Sequence, residues 1–191
     1  MTDSFERLFN PRGIAVVGAS GDGGRLSGQT LPALLKFGYK GGIYPVNPKY
    51  DSLFGVKCFK SLGDIDGECD VAVVVVSAGQ VPGIIEQCGQ KGIRFAVVLG
   101  GGFREAGPKG VALESDMVAK ARLHGVRIIG PNCIGLLNGC LLSRRGGCEP
   151  TDEGAGERVG SSSDFNQEFS LSHERAQRHA RGQELDEKTS F

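Results

Sequence analysis

Short apolar runs alternate with longer stretches of helical periodicity along most of the chain. Each run is too short for a helix and has no polar face, which predicts a strand buried on both sides. Five such strands are expected, at residues 14–17, 42–46, 71–76, 93–99 and 126–129. Between them, apolar residues recur three and four positions apart, a spacing typical of helices that bury one face. These helices are expected at about 27–37, 81–88 and 109–124.

The alternation of strands with helices indicates the fold class. Such connections give a parallel sheet with helices on both faces, and right-handed crossovers leave few topologies. We predict an α/β fold, a Rossmann-like doubly wound domain over residues 1–138 with a mostly parallel five-stranded sheet. Residues 1–12 are expected to be a short lead-in on the domain edge, and residues 55–59 a short extended piece. Pro45 predicts an irregularity in the second strand, since proline cannot donate to a sheet ladder.

The alternating pattern stops after Asn138. Residues 139–191 contain few large apolar side chains, scattered charges and a run of three serines at 161–163. Such a composition buries too little surface to offset the entropy of ordering the chain. We therefore predict a disordered, non-catalytic tail over residues 139–191.

Composition and charge disfavour several functional classes. The chain has 22 basic and 22 acidic residues, so no net charge favours nucleic acid or an anionic membrane. No apolar run approaches the roughly 20 residues of a membrane span or the length of a signal-peptide core. Six cysteines are present, none in a C-x-x-C pair, and their spacing matches no common zinc site. We expect a cytoplasmic protein without bound metal, with Cys69 and Cys88 as reduced core residues.

Candidate chemistry begins with the turn after the first strand, where glycines at 21, 23, 24 and 28 precede and enter a helix. A strand, glycine turn and helix in that order bind phosphate, because glycines admit an anion close to the backbone N–H groups. Position 20 is serine where the G-x-G-x-x-G pattern requires glycine, and its hydroxyl can donate to a phosphate oxygen. The alternative is a plain tight turn. The predicted phosphate contacts are Gly18, Ser20, Gly21, Gly23 and Arg25.

The residues that follow the second strand distinguish between NAD and ligands with an additional sugar phosphate. A domain that binds NAD places Asp or Glu there to hold the ribose 2′-hydroxyl. This chain has Asn47-Pro48-Lys49 instead. A cation at that corner favours a ligand with an additional phosphate on its sugar, such as NADP or coenzyme A (CoA). Asn47 and Lys49 are therefore predicted ligand contacts.

Two further segments follow strands at the same expected edge of the sheet. Consecutive glycines at 100–102 would let a slender ligand lie along the backbone, and Glu105 follows them near a helix start. Cys133 suggests a nucleophile, but no base is evident near it. Since no acid–base pair or nucleophile constellation is visible, no catalytic residue is predicted.

These motifs together resemble a known family. The segments Ile43-Tyr-Pro-Val-Asn-Pro48, Gly102-Phe-Arg-Glu105 and Gly130-Pro-Asn-Cys-Ile-Gly135, with the glycine turn and the valine-rich strand, are similar to the CoA-binding domain of ADP-forming acyl-CoA synthetases. The same domain opens the α subunit of succinyl-CoA synthetase. The resemblance covers about residues 5–138.

The resemblance implies a ligand and its contacts. Ser20 to Gly23, Asp22 among them, would hold the phosphates of CoA, and Lys49 would meet the phosphate at its adenosine end. Asn132 would shape the loop near the thiol. The adenine and pantetheine path would be lined by Ser77 and by the backbone of Leu99, Gly100 and Gly101.

The implied function is a CoA- or acyl-CoA-binding domain of an ADP-forming acid–CoA ligase. That family uses a phosphohistidine in a following domain and an ATP-grasp module, and neither is evident here. We therefore expect incomplete catalysis by the chain alone, with an ATP-grasp subunit or domain as a partner. Family members continue as ordered chain, so we hypothesise that residues from about 139 are a truncated or out-of-frame ending. Two alternatives stay open: a stand-alone CoA-binding or sensor module acting with a partner, and an NADP-dependent oxidoreductase domain.

Overall fold

A five-stranded parallel sheet forms the centre of the computed structural model, which describes residues 3–133 and 135. The strands in chain order are β1 (Gly13–Val17), β2 (Gly42–Val46), β3 (Ser52–Leu53), β4 (Val56–Lys57), β5 (Val71–Val74), β6 (Phe95–Val98) and β7 (Arg127–Ile129). All but β3 and β4 belong to the sheet, in the order β2-β1-β5-β6-β7. The tail predicted at 139–191, and with it the predicted boundary at Asn138, lies outside the described residues.

Helices cover both faces of this sheet. They are α1 (Asp3–Phe9), α2 (Leu26–Lys36), α3 (Val81–Lys91) and α4 (Pro108–His124). Alternate strand residues point to opposite faces, so Val17 packs in a core with α3 and α4 while Val16 packs with Leu31 of α2. The predicted doubly wound α/β fold is therefore confirmed. None of the helices in this described part has the length and apolarity needed to cross a membrane.

The second strand is continuous through Pro45, so the predicted irregularity there is wrong. Pro45 pairs with Val16 of β1. Its carbonyl accepts the N–H of Phe59, and the N–H of Asn47 donates to the carbonyl of Phe59. The polar groups at position 45 thus face away from β1, and the missing N–H removes no bond from the ladder. Proline is tolerated because β2 is an edge strand.

Helix α1 and strand β3 are absent from the sequence-based prediction. The lead-in at 1–12 contains α1, whose Leu8 is buried in the core. The extended piece predicted at 55–59 contains β4, which pairs antiparallel with β3. Phe54 and Gly55 join these strands in a two-residue turn, with φ angles of 51° and 78°. A seven-residue helix and two-residue strands are too short to show a period.

An ion-pair cluster joins the amino ends of β1 and β5. The backbone N–H and Nε of Arg12 donate to Oδ2 of Asp70 at 2.8 and 3.0 Å, and a terminal guanidinium nitrogen donates to Oδ1 at 2.6 Å. Glu68 also pairs with the guanidinium. Asp70 is only 7% exposed, and a buried carboxylate requires such partners. The hydrogen bonds from Arg12 hold the pKa of Asp70 below its usual range.

The ring of Tyr44 fills a space left by glycines from three segments. A Cβ built at Gly13 would lie 2.7 Å from Cε2 of Tyr44, and one at Gly42 would lie 2.9 Å from the same atom. A Cβ at Gly67 would lie 2.7 Å from Cζ. These separations are too short for carbon atoms, so a side chain at Gly42 or Gly67 would displace the ring. A side chain at Gly13 would also meet the backbone carbonyl of Glu68.

The cysteines predicted to be core residues are buried. Cys69 and Cys88 are both free thiols in the cluster beneath α3 and α4. Burial raises the pKa of Cys69 to about 11 and that of Cys88 to about 12. Both thiols therefore stay protonated at neutral pH and behave as small apolar side chains.

Candidate functional site

The loops that follow the sheet strands come together at the carboxyl edge of the sheet. Asn47 after β2 donates from Nδ2 to the carbonyl of Ala19 after β1, at 2.8 Å. The N–H of Asn132 after β7 donates to the carbonyl of Gly100 after β6, at 3.1 Å. In the sheet, β2 lies on one side of β1, and β5, the next sheet strand along the chain, lies on the other side of β1. This edge therefore contains a topological switch point, where open α/β sheets bind ligands.

Gly18 lets the chain turn sharply at the end of β1. Its φ is 87°, a left-handed conformation that favours glycine. A Cβ at this position would lie 2.8 Å from Cγ1 of Val76 after β5. Position 18 therefore requires glycine both for its conformation and for the close approach of two loops at the switch point.

The glycine turn is held by its own polar groups. The Ser20 hydroxyl accepts the N–H of Asp22 at 3.1 Å, and Oδ1 of Asp22 accepts the N–H of Gly24 at 3.1 Å. The N–H groups of Gly21 and Gly23 donate to no residue in the described part of the chain. Two exposed N–H groups and the serine hydroxyl are thus available to an anion, and the phosphate contact predicted for them stays a prediction.

Arg25 lies next to this turn but is paired within it. Its Nε is 3.1 Å from Oδ2 of Asp22, and its side chain is 79% exposed. An exposed ion pair of this kind contributes little stability. A phosphate at this turn would lie near the Asp22 carboxylate as well as the Arg25 guanidinium. The positive charge of Arg25 therefore mainly neutralises the negative charge of Asp22.

Asn47 fixes the position of the loop that carries Lys49. While its Nδ2 donates to Ala19, its Oδ1 accepts the backbone N–H of Lys49 at 3.0 Å. This one side chain therefore joins the glycine turn to the corner predicted to hold a sugar phosphate. The Lys49 side chain is exposed and forms no ion pair with any described residue. It is a cation available to a ligand at this corner.

The predicted contacts after β5 and β6 lie close to one another. Ser77 is exposed and donates to Oε1 of Gln80 at 3.0 Å, in the turn that leads into α3. Leu99 is buried and its N–H donates to the carbonyl of Val74 at 3.1 Å. The side chain of Leu99 is packed in the core, so a ligand at this edge could be contacted only by its backbone. A Cβ at Gly100 would lie 3.0 Å from the carbonyl oxygen of Val76.

Glu105 holds the glycine segment after β6. Its Oε1 accepts the N–H groups of Gly102 and Phe103, at 2.6 and 3.2 Å. These backbone bonds hold the pKa of Glu105 below its usual range. The same oxygen would lie 2.9 Å from a Cβ at Gly101, and the Asn132 amide carbon 3.6 Å from it. Gly101, Glu105 and Asn132 therefore meet at one point of the edge.

Cys133 is directed away from the edge. Its Sγ donates to the carbonyls of Val98 and Ile129, at 3.4 and 3.7 Å. His124 ends α4 just before β7 begins, which puts it at the opposite, amino edge of the sheet. The described residues thus give the Cys133 thiol no histidine base. They also contain no group of three or more His, Cys, Asp or Glu that could hold a metal ion.

Sequence reasoning missed two side chains that organise the site, Glu105 as a backbone acceptor and Lys60. The ammonium of Lys60 donates to two carbonyls in the loop that carries Lys49. The role of Lys60 has no local pattern, because its acceptors lie 12 and 10 residues earlier in the chain. Glu105 accepts N–H groups three and two residues before it, so its position just after the glycines was the available signal.

Comparison with known proteins gives a family match over residues 12–139, to a model described as a CoA binding domain. The chain is 44% identical over 135 residues to the α subunit of ADP-forming acetate–CoA ligase II of Pyrococcus furiosus. This match covers 70% of the chain but 29% of that subunit. The chain therefore spans less than a third of the length of this relative.

Solved structures show the same likeness. The apo form of dinucleotide-forming acetyl-coenzyme A synthetase 1 of Ca. Korarchaeum cryptofilum is 46% identical with a TM-score of 0.65. That match covers 69% of this chain and 28% of the other. A hypothetical protein of Pyrococcus horikoshii OT3 is 29% identical with a TM-score of 0.56, and 84% of that shorter chain is covered.

Proposed function

The chain belongs to the CoA-binding domain family, and from this membership we propose that it binds CoA or an acyl-CoA at the carboxyl edge of its sheet. The observation that carries the proposal is the junction between the glycine turn and the loop after β2. Asn47 bonds to both, and so places Lys49 beside a turn with unpartnered N–H groups. A phosphate-binding turn next to a cation suits a ligand with a diphosphate and a further sugar phosphate.

We assign the ligand contacts as follows. The diphosphate lies against the Ser20 hydroxyl and the backbone of Gly21 to Gly23, with Gly18 shaping the turn and the Asp22–Arg25 pair beside it. Lys49 binds the 3′-phosphate of the adenosine. Ser77 and the backbone of residues 99–101 line the path of the pantetheine arm. Asn132 shapes the loop at its thiol end.

We further propose that this chain supplies the CoA-binding part of an ADP-forming acid–CoA ligase. The relatives that carry such names are several times longer than the matched region. The overall reaction, acyl-CoA with ADP and phosphate giving acid, CoA and ATP, would then require an ATP-grasp subunit or domain as partner. Free buried thiols such as Cys69 and Cys88 suit a cytoplasmic location.

A second candidate is a stand-alone CoA-binding or sensor module. It is favoured by the Pyrococcus horikoshii structure, because 84% of that chain consists of the shared fold. The two candidates differ in their dependence on a partner. Acid–CoA ligation that appears only when an ATP-grasp subunit is added would support the ligase, and CoA binding without any ligation would support the module.

The proposed ligand is tested by isothermal titration of the full chain with CoA, dephospho-CoA, NADP and NAD. We expect CoA to bind and dephospho-CoA to bind roughly tenfold more weakly, as the loss of one charge-assisted contact predicts. Lys49→Met should remove this difference. Lys40→Met is the matched control, since Lys40 is exposed at the amino end of β2. A response to NADP alone, or silence from a chain shown to be folded by circular dichroism, would overturn the proposal.

A further inference from the structure

We propose that Lys60 is a positioning residue that fixes Lys49 at the 3′-phosphate corner, and so sets the preference for CoA over dephospho-CoA. The inference rests on the CoA site proposed above. It concerns residues 47–51, which we call the corner loop. The position of Lys49 within that loop decides whether its ammonium meets a phosphate in a fixed place or samples many positions.

Backbone hydrogen bonds close the corner loop at both ends. The N–H of Asn47 donates to the carbonyl of Phe59 at 2.9 Å, and the N–H of Cys58 donates to the carbonyl of Asp51 at 2.9 Å. The two ends of the loop are thus attached to neighbouring residues of a single segment. Between these ends, the N–H of Lys49 is held by Oδ1 of Asn47, whereas the carbonyls on either side of Lys49 depend on a side-chain donor.

The side chain of Lys60 supports the middle of the corner loop. Its Nζ donates to the carbonyls of Pro48 and Tyr50, at 3.3 and 3.0 Å, and to Oδ1 of Asp51 at 2.7 Å. The two carbonyls belong to the residues on either side of Lys49. The Asp51 contact is an exposed ion pair of little stabilising value, so the two carbonyl bonds carry the effect.

The same contacts exclude Lys60 as a ligand contact. An ammonium has three N–H donors, and all three have acceptors in the corner loop. The neighbouring Lys57 lies over the ring of Phe59, with Nζ 4.9 Å from its centre. Lys49 is therefore the lysine of this region left to bind an anion, and Lys60 acts on the ligand only through the loop.

The test compares the wild type with Lys60→Met, Lys49→Met and the double variant, titrating each full chain with CoA and dephospho-CoA. We expect Lys60→Met to weaken CoA binding about fivefold, the effect of losing one hydrogen-bonded support, and to change dephospho-CoA binding less than about twofold. The double variant should bind CoA no more weakly than Lys49→Met, since both changes remove the same contact. Lys120→Met, which breaks a helix–helix ion pair with Glu86, serves as the control for general loss of stability.

Three outcomes would overturn the inference. Equal weakening of both ligands by Lys60→Met would indicate a general structural role. Additive losses in the double variant would indicate that Lys60 contacts the ligand itself. Unchanged affinities would indicate that the loop needs no support.

Hydrogen exchange separates this inference from the proposed function. Amide exchange in residues 47–51 of the unliganded chain should be several-fold faster in Lys60→Met than in the wild type, and unchanged in Lys120→Met. If the wild type bound no CoA, the proposed function and the phosphate preference would both fail, even if exchange in the corner loop were faster in Lys60→Met than in the wild type. Wild-type CoA binding with unchanged exchange in Lys60→Met would overturn the role of Lys60 alone.

Discussion

Phe54 occupies a backbone conformation that suits other residues better. It is half exposed and has a φ of 51°, in the two-residue turn between β3 and β4. Turns of this kind favour Asn-Gly, because the left-handed region is unfavourable for residues with a bulky Cβ substituent. Gly55 meets this requirement, and Phe54 does not.

Replacing Phe54 by asparagine should therefore stabilise the chain. We expect Phe54→Asn to raise the free energy of unfolding by about 1 kcal/mol, the usual difference for a left-handed position. Urea unfolding followed by circular dichroism measures it. Phe54→Ala is the control, since it removes the ring but keeps the strain and should bring no gain. A variant Phe54→Asn no more stable than the wild type would show that the exposed ring contributes more than its backbone loses.

At the scale of elements, the segment between β6 and α4 is held by one carboxylate. Glu105 accepts two backbone N–H groups at the point where Gly101 and Asn132 meet. A segment with consecutive glycines has high conformational entropy when free. The carboxylate therefore arranges the path assigned to the pantetheine arm before any ligand arrives.

Glu105→Ala should weaken CoA binding by roughly tenfold, because the ligand must then order the glycine segment itself. Glu105→Gln keeps an oxygen that can accept both N–H groups and should bind CoA nearly as well as the wild type. Isothermal titration of the two variants gives the comparison. Equal loss in both would mean that the negative charge, rather than the acceptor geometry, supports the site.

Element positions were largely predictable because buried strands and amphipathic helices each have a period. The apolar run at 71–76 and the spacing of Val81, Ile85 and Cys88 indicated β5 and α3 correctly. The hairpin of β3 and β4 has no period to detect. The role of Lys60 was not predictable either, since its acceptors lie 12 and 10 residues earlier in the chain and meet it only when the loop folds.

At the scale of the whole molecule, the two edges of the sheet have different tasks. The carboxyl edge carries the candidate ligand site, while the amino edge carries the cluster of Arg12, Glu68 and Asp70. That cluster joins the start of β1 to the start of β5, on either side of the switch point. We therefore expect it to support global stability rather than ligand binding.

The acid dependence of stability should report this cluster. The pKa of Asp70 is lowered in the folded chain by the hydrogen bonds from Arg12. Its contribution is therefore present above about pH 4, the usual aspartate value, and is lost as the pH falls through the lower folded value. Asp70→Asn should lower the melting temperature at pH 7 by about 5 °C, and this difference from the wild type should shrink towards pH 2.

Thermal unfolding followed by circular dichroism across that pH range measures the effect. Asp66→Asn, at an exposed position on the same loop, is the matched control and should leave the melting temperature unchanged. A difference between Asp70→Asn and the wild type that stays constant from pH 7 to pH 2 would contradict the titration of Asp70 as its source.

The space around the Tyr44 ring also links positions that are far apart in the chain. Gly42 and Gly67 are both restricted by atoms of this ring rather than by one another, whereas Gly13 is also blocked by the backbone carbonyl of Glu68. The tolerance of positions 42 and 67 to substitution is therefore conditional on the residue at position 44. Among related sequences, side chains at 42 and 67 should appear together with a smaller residue at 44. The packing of the Tyr44 ring would then produce covariation between position 44 and positions 42 and 67.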